Sequence, residues 1–325
     1  MAFANPNISD LIATTIEYRS NEIADNITNN NAILKAIQKS GNSGLVDGGS
    51  YILEAFSFAQ NGNAQFYSGY DTLGVGAADV ISGARFDYKL AAVPVSITGQ
   101  EALQNKGKSE IIDLVTGRVD VAIGTLKNIV VQGIYSDGSL YGGKGITGLQ
   151  AAVPLANTTG VYGGVDRATY TFWRNQKFKA TTDGGGSTTA ANIQGYMNQL
   201  WLKAIRGADQ PNLVVSDSAY YGLYINSLQA LQRFTGVETG NLGFPSVKYM
   251  TTDVIMDTPA TGLPTKTMYM LNTNYLKFKT HKGRNFAPIS PENRSSVNQD
   301  ATVQMIGWMG NLTCSGAMFQ GVMQE

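Results

Sequence analysis

Apolar residues recur at helical spacing near the start of the chain. Behind Ser9, a candidate helix N-cap, Leu11, Ile12, Ile16, Ile23, Ile27, Ile33, Leu34 and Ile37 form a thin stripe that Asn29, Asn30 and Asn31 interrupt. Such a stripe buries too little by itself to offset an ordering cost of about 1–2 kcal/mol per residue. The segment therefore reads as an arm lying on something else, in this subunit or another. A strand is predicted over Tyr51 to Ala59 and a second over Arg85 to Thr98, separated by a stretch rich in Gly, Ala and Ser. In the second, Phe86, Tyr88, Leu90 and Ala92 alternate with Arg85, Asp87, Lys89 and Ala91, the period of a half-buried ribbon. Together they predict a long hairpin with an aromatic face and no evident partner within the chain. A two-stranded hairpin is marginal alone in water, so a neighbour is expected to cover it.

The spacing of Ile111, Leu114, Val115, Val119, Ala122, Ile123, Leu126, Ile129 and Val130 predicts a helix over Ser109 to Gln132, roughly 35 Å long at about 1.5 Å per residue. Gly117 and Gly124 lie seven apart on it, marking either a close backbone crossing or two tolerated weak points. Turn signals crowd residues 136 to 187. A helix over Ala190 to Arg206, a strand over Leu213 to Ser216, a helix over Asp217 to Phe234 capped by Asp217, and strands at Ser246 to Asp257 and Lys266 to Phe278 predict a mixed α/β lobe. Ala301 to Val322 reads as strands closing a second, smaller lobe.

Composition narrows the possibilities. With 325 residues the chain exceeds what one core usually supports, so two lobes, or one body with long excursions, are expected. Lys and Arg total 24, as do Asp and Glu, which argues against a DNA-gripping stripe or a polybasic membrane patch. One cysteine, Cys314, and one histidine, His281, exclude intrachain disulfides and Cys/His zinc clusters. Neither a signal peptide nor a membrane span is predicted. The five Asn-x-Ser/Thr triplets, beginning at Asn7, Asn26, Asn157, Asn293 and Asn311, therefore have no reason to be glycosylated.

Candidate chemistry is sparse. Gly138 to Gly145 (GSLYGGKG) comes within one residue of a phosphate-binding loop, but Gly145 lacks the hydroxyl for magnesium and a helix, not a strand, leads in. His281 sits in a basic turn, with no serine or cysteine on a nucleophile elbow for it to activate. Cys314, in an apolar strand, is expected to be inert. Asp253 with Asp257, and Asp166 beside Arg167, are conceivable acid/base pairs, although solvated turn residues are the commoner case. Lys277, Lys279, Lys282, Arg284 and Arg294 form the densest basic set and suggest contacts with a partner's carboxylates, or weakly with phosphate, rather than sequence readout.

Arm, hairpin, long helix, mixed lobe and returning strands, in that order, resemble the major capsid proteins of tailed bacteriophages. The resemblance is carried by Gly142 to Gln150 (GGKGITGLQ), Gly163 to Arg174 (GGVDRATYTFWR), Leu228 to Phe234 (LQALQRF), Tyr275 to Phe286 (YLKFKTHKGRNF) and Gly310 to Ser315 (GNLTCS). It implies an α+β capsid fold of the Hong Kong ninety-seven type. Residues 1–49 would form the N-terminal arm, 50–92 the extended loop, 93–139 the peripheral domain with its spine helix, 140–279 the axial domain, and 280–325 the returning peripheral strands. The implied role is structural rather than enzymatic, without cofactor or metal. Identical subunits would form hexamers and pentamers of an icosahedral shell around double-stranded DNA, in the virion, after assembly in the bacterial cytoplasm without a membrane. Scaffolding, portal and cement proteins are implied as possible separate partners. The arm begins almost at Met1, so no built-in scaffold is expected. Some members cross-link lysine to asparagine; Lys89 is the only lysine on the loop and no partner can be named, so no cross-link is expected. Arg85, Lys89, Phe56, Phe58, Phe86, Tyr88, Lys282 and Arg284 are the candidate inter-subunit contacts. The rival readings are a homo-oligomeric carboxylate-based hydrolase, and another phage component such as a decoration or tail protein.

Overall fold

The computed structural model describes residues 32–104, 108–207, 209–229, 246–258, 261–289, 294–295 and 300–325. The stripe from Leu11 to Ile27 with its Ser9 cap, the end of the helix predicted to reach Phe234, and the side chains of Ile111, Leu114, Val115 and Arg294 lie outside the described residues.

Chain order begins with helix α1 (Ala32–Lys39), then β1 (Ser43–Val46), β2 (Ile52–Ser57), β3 (Ile81–Phe86), β4 (Lys89–Thr98), α2 (Gly99–Gln104) and the long α3 (Lys108–Tyr135). Strands β5 (Val161–Tyr162), β6 (Val165–Asp166) and β7 (Gln176–Lys179) precede α4 (Ile193–Ala204), β8 (Leu213–Ser216) and α5 (Ser218–Gln229). The chain closes with β9 (Ser246–Tyr249), β10 (Thr252–Met256), β11 (Thr267–Leu271), β12 (Leu276–Pro288), β13 (Arg294–Ser295), β14 (Ala301–Cys314) and β15 (Gly321–Gln324).

Two sheets organise these elements. In the first, β14 lies antiparallel between β12 and β4 and also pairs with β13, while β1 adds parallel to β12. Helix α3 lies on β4 and β14 through Val119, Ile123, Leu126, Val130 and Ile134, buried at intervals of three and four. Ile33, Leu34 and Ile37 of α1 are equally buried, and α1 packs on β12. The second sheet runs β7-β15-β11-β8-β10-β9 and mixes parallel with antiparallel pairs. Leu213, Val214 and Val215 of its β8 are all buried, and α4 and α5 cover it with Met197, Leu200, Trp201, Tyr220 and Tyr224. Asp217 caps α5 as predicted, its Oδ1 accepting from the Tyr220 amide at 3.0 Å.

Three expectations are corrected. The last segment does not close one small lobe: β14 is central to the first sheet and β15 crosses into the second. The long second hairpin strand is two strands, β3 on β2 and β4 on β14. Asp87 and Tyr88 break it and slip the alternation, so Ala84 and Phe86 face inward before the break and Val95 and Ile97 after it. Gly117 and Gly124 mark no crossing, since a Cβ at either would meet nothing within 4 Å. The close approach is between Gly148 and the carbonyls of Gly133 and Ile134, where a Cβ would collide with backbone. It fixes the turn after α3, and the Tyr135 hydroxyl donates to Asp257 Oδ2 at 2.5 Å, tying the end of α3 to the second sheet.

Candidate inter-subunit surface

The hairpin is built from alternation. In β2, Ile52, Glu54 and Phe56 point inward while Leu53, Ala55 and Ser57 stay exposed. Its inner aromatic face does have a home within the chain, contrary to the expectation from sequence. The Phe56 ring packs tilted with its centroid 4.7 Å from that of Trp173 and 5.6 Å from that of Phe172, Phe58 lies tilted 5.9 Å from Phe172, and Phe86 meets Tyr162 edge-on at 5.1 Å. Aromatic pairs in this range add about 0.5–1.5 kcal/mol each beyond area burial. The Trp173 indole donates to the Tyr162 carbonyl at 2.9 Å, and the Arg85 amide to the Gly163 carbonyl at 2.9 Å, so the Gly163–Trp173 segment is clamped beneath the hairpin.

A buried ion pair fixes the same base. Glu54, only 4% exposed, accepts from Lys277 Nζ at 2.6 Å and from the Thr313 hydroxyl at 3.0 Å, joining β2 to β12 and β14. The basic set is thereby divided, for Lys277 serves the interior. Lys282 lies beside Asp47 at 3.9 Å, both well exposed. It stands with Arg284 on a bulge of β12, where the pairing with β14 jumps from Thr280 to Asn285. His281, on that bulge, meets Tyr88 edge-on at 6.1 Å and accepts from the Gly283 amide.

An open apolar surface lies at the hairpin tip, the Gly-, Ala- and Ser-rich stretch between the two predicted strands. Between Ser57 and Ile81 the chain forms no strand, yet Asn63 donates to the Gly76 carbonyl at 2.5 Å and Gln65 to the Thr72 carbonyl at 3.0 Å, bracing its two limbs. It turns its apolar side chains outward: Phe66 is 107% exposed, Tyr70 105% and Val75 94%, with Tyr67 and Leu73 also open. Asp71 and Asp79 are the only charges from Phe58 to Val80. Exposed clusters of this kind mark interaction surfaces.

The remaining candidates fall into ordinary structural roles. Arg85 is exposed with its guanidinium 5.1 Å over the Tyr51 ring. Lys89 lies not on the hairpin but at the start of β4, its ammonium donating to the Gly143 carbonyl at 3.0 Å. Arg167 is 3% exposed and donates to the Ala151 and Ala152 carbonyls at 2.7 and 2.9 Å, while Asp166 accepts from Ala168 and Thr169. They face different partners and are no acid/base pair. Asp253 and Asp257 stand four residues apart on extended chain, about 13 Å, too far to share a proton. Cys314 is fully buried, and burial pushes its thiol up to about 12. Among the described residues no group of three metal-ligating side chains occurs, and no helix is long and apolar enough to cross a membrane.

No protein-family profile matches the sequence, and no curated protein sequence matches it. Solved structures do. The capsid asymmetric unit of cyanophage A-1(L) is similar with a TM-score of 0.58 at 16% identity, over 86% of this chain and 89% of that one. The capsid of an empty GTA particle gives 0.55 at 10% identity, over 89% and 95%. An encapsulin, in the holo-SrpI complex from Synechococcus elongatus, gives 0.54 at 7% identity, over 87% and 84%. The chain therefore has the capsid fold of the Hong Kong ninety-seven type, matched along nearly its whole length.

Proposed function

We propose that this chain is a major capsid protein, copies of which assemble as hexamers and pentamers into an icosahedral phage head enclosing double-stranded DNA. Its role is structural and its place is the virion. Residues 1–49 serve as arm, 50–92 as extended loop, its last residues already entering β4 of the first sheet, 93–139 and 280–325 as peripheral domain apart from β15, which joins the axial sheet, and 140–279 as axial domain. Scaffolding, portal and cement proteins would be separate chains. The observation that carries the reading, beside the fold, is the braced apolar tip of the hairpin, which a second copy would cover. Each large apolar side chain fully covered contributes about 1.5–3 kcal/mol, and many modest contacts per subunit add up across a closed shell. The balance of 24 basic and 24 acidic residues avoids self-repulsion at close packing. Lys282 and Arg284, on the β12 bulge, and Arg85 on the hairpin would meet acids of a neighbour in this reading.

Electron micrographs and sedimentation of the purified chain test this. Shells, tubes or capsomer rings are expected, and a chain that stays single at high concentration would refute the reading. Phe66→Ser, Tyr67→Ser and Tyr70→Ser together should abolish assembly while leaving the subunit's circular dichroism unchanged. Normal particles from that variant would remove the tip from the interface. Particles from the natural source should hold nuclease-resistant double-stranded DNA.

A further inference from the structure

Helix α3 does not fill its seam with the first sheet. A cavity of about 210 Å³ lies between α3, β4, β14 and the Leu140–Ile146 turn, walled by Val130, Ile146 and Trp308. It exceeds the roughly 150 Å³ of an apolar cavity that stays dry and takes up benzene. Trp308, 1% exposed, forms its apolar floor. Lys89 and Lys144 also line the cavity, and among the described residues neither ammonium is paired with a carboxylate. The covering turn is strained: Tyr141, Gly142 and Gly143 have φ of 54°, 71° and 85° in succession, and left-handed tyrosine is uncommon.

This turn is the string that nearly matches a phosphate loop, and its backbone excludes that use. The Gly143 amide donates to the Ser139 carbonyl at 3.1 Å and the Gly145 amide to the Leu140 carbonyl at 2.9 Å, so these amides are not free to cradle phosphate. Apolar walls with two ammoniums beside them suit a different chemistry. We infer that the seam between α3 and β4 is a binding pocket for a small amphiphilic carboxylate, its ring or short alkyl body against Val130, Ile146 and Trp308 and its carboxylate at Lys89 and Lys144. The inference stands apart from the shell reading, since it needs only the subunit fold.

Titration with 6-bromohexanoate tests it on the intact protein, because bromine quenches indole fluorescence on contact. Saturable quenching is expected. It should vanish in Trp308→Phe, which leaves the two other tryptophans. Lys144→Glu, an exposed change that leaves the fold intact, should weaken the carboxylate about fivefold and leave 6-bromohexanol unaffected. Absence of saturable quenching up to the solubility limit, unaltered affinity in Lys144→Glu, an equal effect of that change on the alcohol, or full quenching in folded Trp308→Phe would each overturn the proposal.

Discussion

Truncating Lys277 to alanine isolates the tie that holds the hairpin base to the body. Glu54 lies between Ile52 and Phe56 on the inward face of β2, 4% exposed, with Lys277 Nζ at 2.6 Å and the Thr313 hydroxyl at 3.0 Å. Without Lys277 the carboxylate keeps one neutral donor in an apolar setting. Breaking a buried pair from one side costs about 3–5 kcal/mol. The Lys277 side chain is 29% exposed, so water screens the pair and the low end, about 3 kcal/mol, applies. For a chain of this length that lowers Tm by about 4 °C. Circular dichroism melts of unassembled subunits at neutral pH give the shift, and amides of β2 and β3 should exchange faster while those of β8 do not. Glu54→Leu with Lys277→Met removes both charges and should fall within about 1 kcal/mol of wild type. A Lys277→Ala shift below about 1 °C, or a double variant as unstable as the sum of its singles, would refute this reasoning.

Two glycine-to-alanine changes should behave oppositely. Gly148→Ala puts a Cβ into the carbonyls of Gly133 and Ile134 and should destabilise by about 2 kcal/mol or more, whereas Gly124→Ala, in open space on α3, should stabilise by about 1 kcal/mol; urea melts separate them. The Arg118 guanidinium, and then the Thr98 amide, hold the exposed Glu101 carboxyl down to about 2. Its depressed folded pKa means the contribution is complete above its ordinary value of 4.5 and lost as pH falls toward 2, so urea midpoints of wild type and Glu101→Gln should differ at neutral pH and converge near that lower limit. The Cys314 thiol, fully buried and raised to about 12, should resist Ellman's reagent in the native protein and react at once in denaturant; prompt native labelling would contradict its placement.

Local signals of the fold were legible where one rule governed a whole segment. The apolar run Leu213–Ser216, bounded by Asn212 and Asp217, became β8, and the three-four spacing through Leu126 and Val130 became the buried face of α3. The hairpin misled because two strands of opposite phase adjoin at Asp87 and Tyr88, so that one alternation was read through a break. Its intrachain partners, Tyr162, Phe172 and Trp173, sit in a turn-rich stretch without periodicity, and Glu54 and Lys277 meet across 223 residues. Pairings of that range depend on the assembled sheets, which no local window contains. The open tip lies in the Gly-, Ala- and Ser-rich stretch, and its outward aromatics stand out only once the rest of the hairpin is seen to be satisfied.

Hydroxyl-radical footprinting of the tip, before and after assembly, addresses the central claim most directly. Phe66, Tyr67 and Tyr70 are open in the single subunit and should lose most of their oxidation as particles form, while Tyr141, also exposed, serves as the internal reference. Particles in which those three side chains oxidise as fast as in the free chain would contradict the account.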